Sequence, residues 1–120
     1  AVNDLGYRSI TTPGTLKAFS DAHQRYGSIP WRQLLAPAIR IAAGGYVVTP
    51  GVHGYWVGVD TPGRVRVRDR LGFGDYGRAI YCDDDGHPLA IGATVKNPHM
   101  ADAYQRIADC GWRSGHLLHR

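Results

Sequence analysis

Four arginines at alternating positions, Arg64, Arg66, Arg68 and Arg70, form the densest positive charge in the sequence. On one face of an extended strand they would follow a phosphate backbone, because nucleic-acid affinity comes largely from side-chain cations neutralising phosphates. Arginine alternating with Val65 and Val67 is also the period of a half-buried strand. Charges of that kind on an edge strand prevent edge-to-edge aggregation. No RNP-type aromatic motif or zinc finger accompanies the ladder, so a solvated edge strand accounts for it better. A small basic nucleic-acid-binding module is the alternative reading, and nucleic acid is not the expected partner.

Other chemistry-bearing groups are sparser. Asp83-Asp84-Asp85-Gly86 offers carboxylates for Ca²⁺, but the rest of an EF-hand loop, including its closing Glu, is absent. Asp-Gly between apolar runs is a turn signal, and a solvated turn is the better account. His116 and His119 have helical i, i+3 spacing with no third ligand nearby, while His23 and His99 sit among polar neighbours. No metal site, cofactor or catalytic residue is assigned. Cys82 and Cys110 are too few for a disulfide framework and are read as free thiols. No Gly-rich phosphate loop or Ser-His-Asp set is present. The Pro13-Gly14-Thr15 segment opens a helix whose N-terminus can attract an anion, as any helix does.

The elements that would position such groups are mostly helices. Leu16, Phe19, Ala22 or His23, and Tyr26 share one face of a first helix, which Gly27 ends with a left-handed cap. Pro30 takes the first position of the next run. Pro37 lies inside that run, where a continuous helix would cost about 3 kcal/mol or more, so the reading is a break with a fresh helix starting at Pro37. Gly44-Gly45 closes it. Ala1–Ile10 reads as a strand, and Val47–Pro50 as a brief extended piece. Gly51, Gly54 and Gly58 interrupt any helix that follows, although Tyr55, Trp56 and Val59 can still bury one side of a turn or two. Asn97 caps a clear helix with Pro98 at its first position and Gly111 beyond its end. Its stripe is Met100, Ala103, Tyr104, Ile107 and Ala108, with Met100, Tyr104 and Ile107 expected buried and Asp102 paired to Arg106. The chain's last residues, Leu117-Leu118-His119, read as a further helix.

Several words in this pattern resemble the large subunit of γ-glutamyltransferases: Thr12-Pro13-Gly14-Thr15, Tyr26-Gly27, Pro30-Trp31, Leu34-Leu35-Ala36-Pro37-Ala38-Ile39 and Gly45-Tyr46. They occur in family order and at matching spacing. Pro88-Leu89 and Asn97-Pro98 through Gly111 extend the resemblance, which covers roughly residues 6–48 and 79–111. Residues 51–75 depart from it and read as a variable loop or insertion within one partial domain, 1–120. The resemblance implies a mainly α fragment with short strands, the outer helices of an αββα N-terminal nucleophile hydrolase. Such enzymes arise as zymogens that cleave themselves. They transfer the γ-glutamyl group of glutathione or related amides to water or amino acceptors. The implied partners are the small subunit, the remaining large-subunit segments and, for the whole enzyme, a glutathione-like substrate. Related cephalosporin acylases share these words.

The family's nucleophile is a threonine whose own α-amino group serves as base, so it must be freed by backbone cleavage. Thr11 and Thr12 are internal and precede Pro-Gly, whereas the family's small subunit starts T-T-H. The R-E-x-A-P arginine that grips the substrate carboxylate has no match in Ala1–Ser9. Thr12, Pro13, Gly14, Thr15, Tyr26, Gly27, Pro30, Trp31, Pro37, Ala38 and Ile39 are therefore scaffold residues, and the chain alone is expected to be inactive.

The totals agree with a globular piece: 120 residues, 43% hydrophobic, 20% charged, net charge +4, with sixteen glycines and seven prolines. No apolar run approaches the ~20 residues of a membrane helix, and no signal peptide is visible. Because the chain begins at Ala1, that says little about location; family membership would imply a periplasmic or secreted protein.

Overall fold

The computed structural model describes residues 4–10, 14–58 and 60–111, without the side chain of Tyr7. In chain order these form a single 3₁₀ turn (Tyr7–Ser9), α1 (Thr15–Tyr26), α2 (Trp31–Gly44), β1 (Tyr46–Val47) and α3 (Pro50–Val57). There follow α4 (Val67–Leu71), α5 (Asp75–Tyr81), β2 (Thr94–Val95) and α6 (Pro98–Cys110). The expected mainly α architecture with short strands is what the described residues adopt. They fall into two compact units: Ala1–Thr11 with Tyr46–Lys96, and Thr12–Gly45 with Asn97–Arg120.

In the unit built on α1, α2 and α6, α2 packs along α6. Asn97 caps α6 as expected, its Oδ1 accepting from the Met100 N–H at 2.9 Å, with Pro98 in the first turn. Gly111 closes the helix at φ 65°, a left-handed angle only glycine adopts freely. The buried face of α6 is Ala101, Ile107 and Ala108, with Ala103 and Tyr104 half-buried. Met100 is exposed, so the expected stripe is rotated: small alanines at 101 and 108 let α2 approach more closely than methionine would. In place of the expected Asp102–Arg106 pair, Asp109 gathers Gln105 from one turn earlier and Arg32 from α2.

The break at Pro37 is not observed. α2 runs without interruption from Trp31 to Gly44, one residue later than expected, because Pro30 is its N-cap. Pro37 and Gln33 are both exposed, so the Gln33 carbonyl that loses its N–H partner faces water. Leu35, Ala38, Ile39 and Ala42, on the other face, are half-buried. That packing outweighs the proline penalty. Gly27 is also not a left-handed cap, since φ is −72° and ψ 132°. A Cβ there would lie 2.5 Å from the His23 ring and 2.5 Å from its carbonyl oxygen, so glycine is needed for space rather than for handedness. The α1 stripe is only partly formed: Leu16 is half-buried, but Phe19 and Tyr26 are 63% and 83% exposed.

The other unit has the larger core. Val48, Trp56, Ile80 and Val95 are buried, and Val52, Val67, Leu71, Tyr81, Leu89 and Ala93 pack around them. Trp56 and Tyr81 meet edge to face at 5.9 Å, the arrangement that aromatic quadrupoles favour. β1 and β2 are antiparallel, Tyr46 opposite Val95 and Val47 opposite Thr94. Val48 then extends the ladder by bonding Ala93 and Gly92.

Two expectations fail in this unit. The glycines at 51, 54 and 58 do not prevent a helix: α3 spans 50–57, with Thr49 accepting from the Val52 N–H and Pro50 in the first turn. Cap, proline and the burial of Trp56 together offset the glycine cost of ~1 kcal/mol each. The N-terminal strand is replaced, over the described residues, by the 3₁₀ turn at 7–9, and Gly6 precedes it at φ 80°.

Candidate functional site

The arginine ladder is not a strand. Arg64–Arg66 are irregular and residues 67–71 form α4. The helical turn brings Val67 and Leu71, four apart, to the core together, and it places Asp69 within reach of Arg66. An isolated strand would satisfy neither group.

The ladder is organised by Asp4, some sixty residues earlier in the chain. Its side chain is only 5% exposed. It accepts from the Val65 N–H and from Arg70 Nη2, and forms an ion pair with Arg64 Nε at 2.8 Å. Arg70 Nε also donates to the Val65 carbonyl at 3.0 Å. The Val65 hydrogen bond does most to hold the Asp4 carboxyl below its ordinary value. Burial opposes it, while Arg70 and Arg64 add to it. Arg66 pairs with Asp69 at 2.8 Å, and Arg68 approaches Asp60 at 4.0 Å. Each of the four arginines thus has an acidic partner. A surface built to follow phosphates would instead leave them to be neutralised by the ligand. Nothing in the structure supports the nucleic-acid reading.

A cleft of about 470 Å³ opens beside this cluster, lined by Arg64, Arg66, Arg70, Tyr55, Asp60 and Thr61 among others. The backbones of Gly54 and Gly58 form part of its wall.

The motif words lie mostly on the helix pair. Thr12 and Pro13 fall outside the described residues, as do His116, His119 and the Leu117–His119 run. Gly14 is the N-cap of α1 and Thr15 its first residue. The Tyr26-Gly27 and Pro30-Trp31 words are brought together by His23. Its Nε2 lies 2.7 Å from the Ile29 carbonyl, and its ring stands edge-on to Trp31 at 5.1 Å. The Trp31 indole then donates to the Ile107 carbonyl at 3.1 Å, fastening α2 to α6. Pro37, Ala38 and Ile39 lie on α2. His23 and Trp31 thus connect α1, the turn after it, α2 and α6.

The acidic turn forms as expected. Asp83 Oδ1 accepts from the backbone N–H groups of Asp85 and His87, and Gly86 takes φ 81°. Ligand atoms of Asp83, Asp85 and His87 come within 4.8 Å of one another, all three exposed. The Asp83 carboxylate is already engaged in closing the turn. Cys82 and Cys110 are free thiols. Burial pushes the Cys82 thiol up; Arg78 works against it and Asp83 with it, so it is less nucleophilic than a surface cysteine. Burial likewise raises the Tyr46 phenol, with a smaller contribution from Tyr81.

The sequence model of γ-glutamyltranspeptidase matches residues 1–115. The chain belongs to the γ-glutamyltranspeptidase family. Glutathione hydrolase 3 of Arabidopsis thaliana is 30% identical over 111 residues, which is 92% of this chain and 16% of that protein. The glutathione hydrolase proenzyme of Pseudomonas aeruginosa is 32% identical over 107 residues, 89% of this chain and 17% of its own length. The crystal structure of Helicobacter pylori γ-glutamyltranspeptidase superposes with a TM-score of 0.78 at 19% identity, covering 92% of this chain and 29% of that one. The chain thus spans about a sixth of the curated relatives' length and adopts a helical portion of the family's N-terminal nucleophile hydrolase fold. Among its described residues no helix is long and apolar enough to cross a membrane.

Within this γ-glutamyltranspeptidase segment, sequence reading missed Asp4. One aspartate far from the arginines it serves carries no local signal, and only the pairing itself reveals it. Sequence reading missed Thr49 as a cap too, although Thr49-Pro50 has the same cap-then-proline form as Asn97-Pro98.

Proposed function

We propose that these 120 residues are a scaffold segment of the large subunit of an enzyme that transfers the γ-glutamyl group of glutathione or related amides to water or amino acceptors. The match of the family model over residues 1–115 carries this reading. The helix pair supports the scaffold role, since its motif residues make interhelical and capping bonds rather than a reacting constellation. The nucleophile belongs to the small subunit: an amino-terminal threonine whose α-amino group takes the hydroxyl proton as the acyl-enzyme forms. Thr11, Thr12, Thr15, Thr49, Thr61 and Thr94 are internal to this stretch and lack such an amine. What the segment supplies is rigidity. Trp31 and Arg32 tie α2 to α6, so neighbouring elements that do carry chemistry are held in place.

The test is release of chromophore from a γ-glutamyl anilide, with and without a dipeptide acceptor. The precursor carrying this stretch should turn over after self-cleavage, faster with the acceptor. The 120-residue chain by itself should show no saturable turnover. An inactive, cleaved precursor overturns the γ-glutamyl assignment, and turnover by the chain alone overturns the scaffold role.

A further inference from the structure

The cleft beside Asp4 has a composition that the scaffold role does not explain. Arg64 and Arg66 each meet their acid side-on, through Nε at 2.8 Å in both cases. Those bonds leave the terminal NH₂ groups of both guanidiniums for another acceptor, and that end of arginine grips a carboxylate bidentately. Asp4 is shared by Arg64 and Arg70, its side chain is almost wholly buried and it does not line the cleft, so an incoming group meets the arginines and not that acid. Arg64, Arg66 and Arg70 line the cleft with a single aspartate, Asp60, while Asp4 and Asp69 lie outside its lining. Tyr55 lies on the cleft wall and is 74% exposed. Tyrosine and arginine together are the residues enriched where protein surfaces meet.

We propose that this cleft is a docking surface for an acidic segment of the remainder of the same precursor, one carboxylate bridging Arg64 and Arg66 while Tyr55 packs on the adjoining backbone. The proposal rests on the reading of the chain as one piece of a longer enzyme, and deepens it by naming the surface and the chemistry of its occupant. Two observations select that occupant. The curated relatives are about six times as long as this chain, so most of the polypeptide that can cover the cleft lies outside it. The terminal ends of two guanidiniums suit a single carboxylate, whereas a nucleic-acid path needs several unpaired cations.

The experiment places p-benzoylphenylalanine at position 55 of the whole precursor, illuminates it and maps the cross-linked peptide by mass spectrometry. The expected product joins position 55 to a peptide of the same precursor with Asp or Glu at or beside the attachment point. Arg64→Gln with Arg66→Gln should abolish it, and Arg64→Lys with Arg66→Lys should retain part of it. Arg64→Gln alone, outside any helix, should weaken the cross-link without disturbing α4. A cross-link to a peptide without an acid, none to the precursor, or one unchanged in the double glutamine variant overturns the proposal. So does an arginine-dependent rise in melting midpoint with added acetate or phosphate, which would mark a free-anion site. Anilide turnover separates this from the enzymatic reading. An active precursor without the cross-link sinks the docking surface alone, and an inactive precursor with an arginine-dependent cross-link sinks the γ-glutamyl reading alone.

Discussion

Each of the two compact units is held together internally by its own means. In the α1–α2–α6 unit the elements are long and their ends are marked by local signals, caps and end-glycines, while α2 is tied to the distant α6 by Trp31, Arg32 and a seam of alanines. In the unit around Val48 and Trp56 the elements are short, at most eight residues, and their positions are set by contacts distant in sequence. Helices that short are marginal in isolation and take their stability from packing. The comparison predicts that the second unit fails through its core, whereas the first fails through its ends.

The largest effect should come from Trp56→Ala. Trp56 joins the buried cluster and meets Tyr81 edge to face, so its removal should cost about 3–5 kcal/mol. Native-state hydrogen exchange of the precursor should show the loss at amides of α3, α5 and β1–β2, with α2 and α6 much less affected. Equal loss in both units would show that they do not open separately, and the comparison would fall.

Pro37→Ala comes next, with the opposite sign. Alanine restores the N–H that the Gln33 carbonyl lacks in the continuous α2, relieving a penalty of about 3 kcal/mol. The unfolded chain gains freedom worth ~0.4–1 kcal/mol, which works against it. A net stabilisation of about 2 kcal/mol is expected, read as a rise in urea midpoint. An unchanged or lower midpoint would restore the broken helix that the sequence alone suggested.

How far the sequence could be read follows the same division. Asn97-Pro98 and Gly111 marked both ends of α6, because a cap, a proline and a glycine each act within a turn of their own position. Thr49-Pro50 has the same form but reads as extended chain, because glycines at 51, 54 and 58 count against a helix on propensity, which takes no account of where Trp56 will be buried. The arginine ladder alternates with period 2 up to Val67. Only Asp4, Asp69 and the core position of Leu71 turn the second half of it into a helix. Pro37 misled because its penalty is local and the gain from α2 packing on α6 is not. Of the cleft, the arginines were legible as charge, while Asp4 and Tyr55 as its neighbours were not.

The two caps allow a smaller and sharper comparison. Asn97→Ala and Thr49→Ala each remove one side-chain acceptor, for about 1 kcal/mol. The Asn97 bond is 2.9 Å and the Thr49 bond 3.3 Å, so the first should cost more. Circular dichroism and exchange at Met100 and Val52 would rank them. A larger effect at Thr49 would mean that α3, too, depends chiefly on its ends.

The smallest effect concerns Asp4 and appears only in acid. Its folded-state carboxyl titrates below the ordinary value of 3.8, mainly through the Val65 N–H, with Arg70 and Arg64 adding their charge. The unfolded chain therefore takes up the proton first as pH falls, and stability is lost with it. The contribution is present in full above about pH 4, declines below 3.8, and is gone once pH passes the folded value. Asp4→Asn should flatten that acid limb for amides near Val65 and α4 while leaving α6 unchanged. Added salt should shrink the effect, because Arg64 is largely exposed and its pairing is screened. If protection near Val65 instead rises as pH falls from 4 to 2, Asp4 is not held as the carboxylate, and the arginine cluster is anchored by something other than its charge.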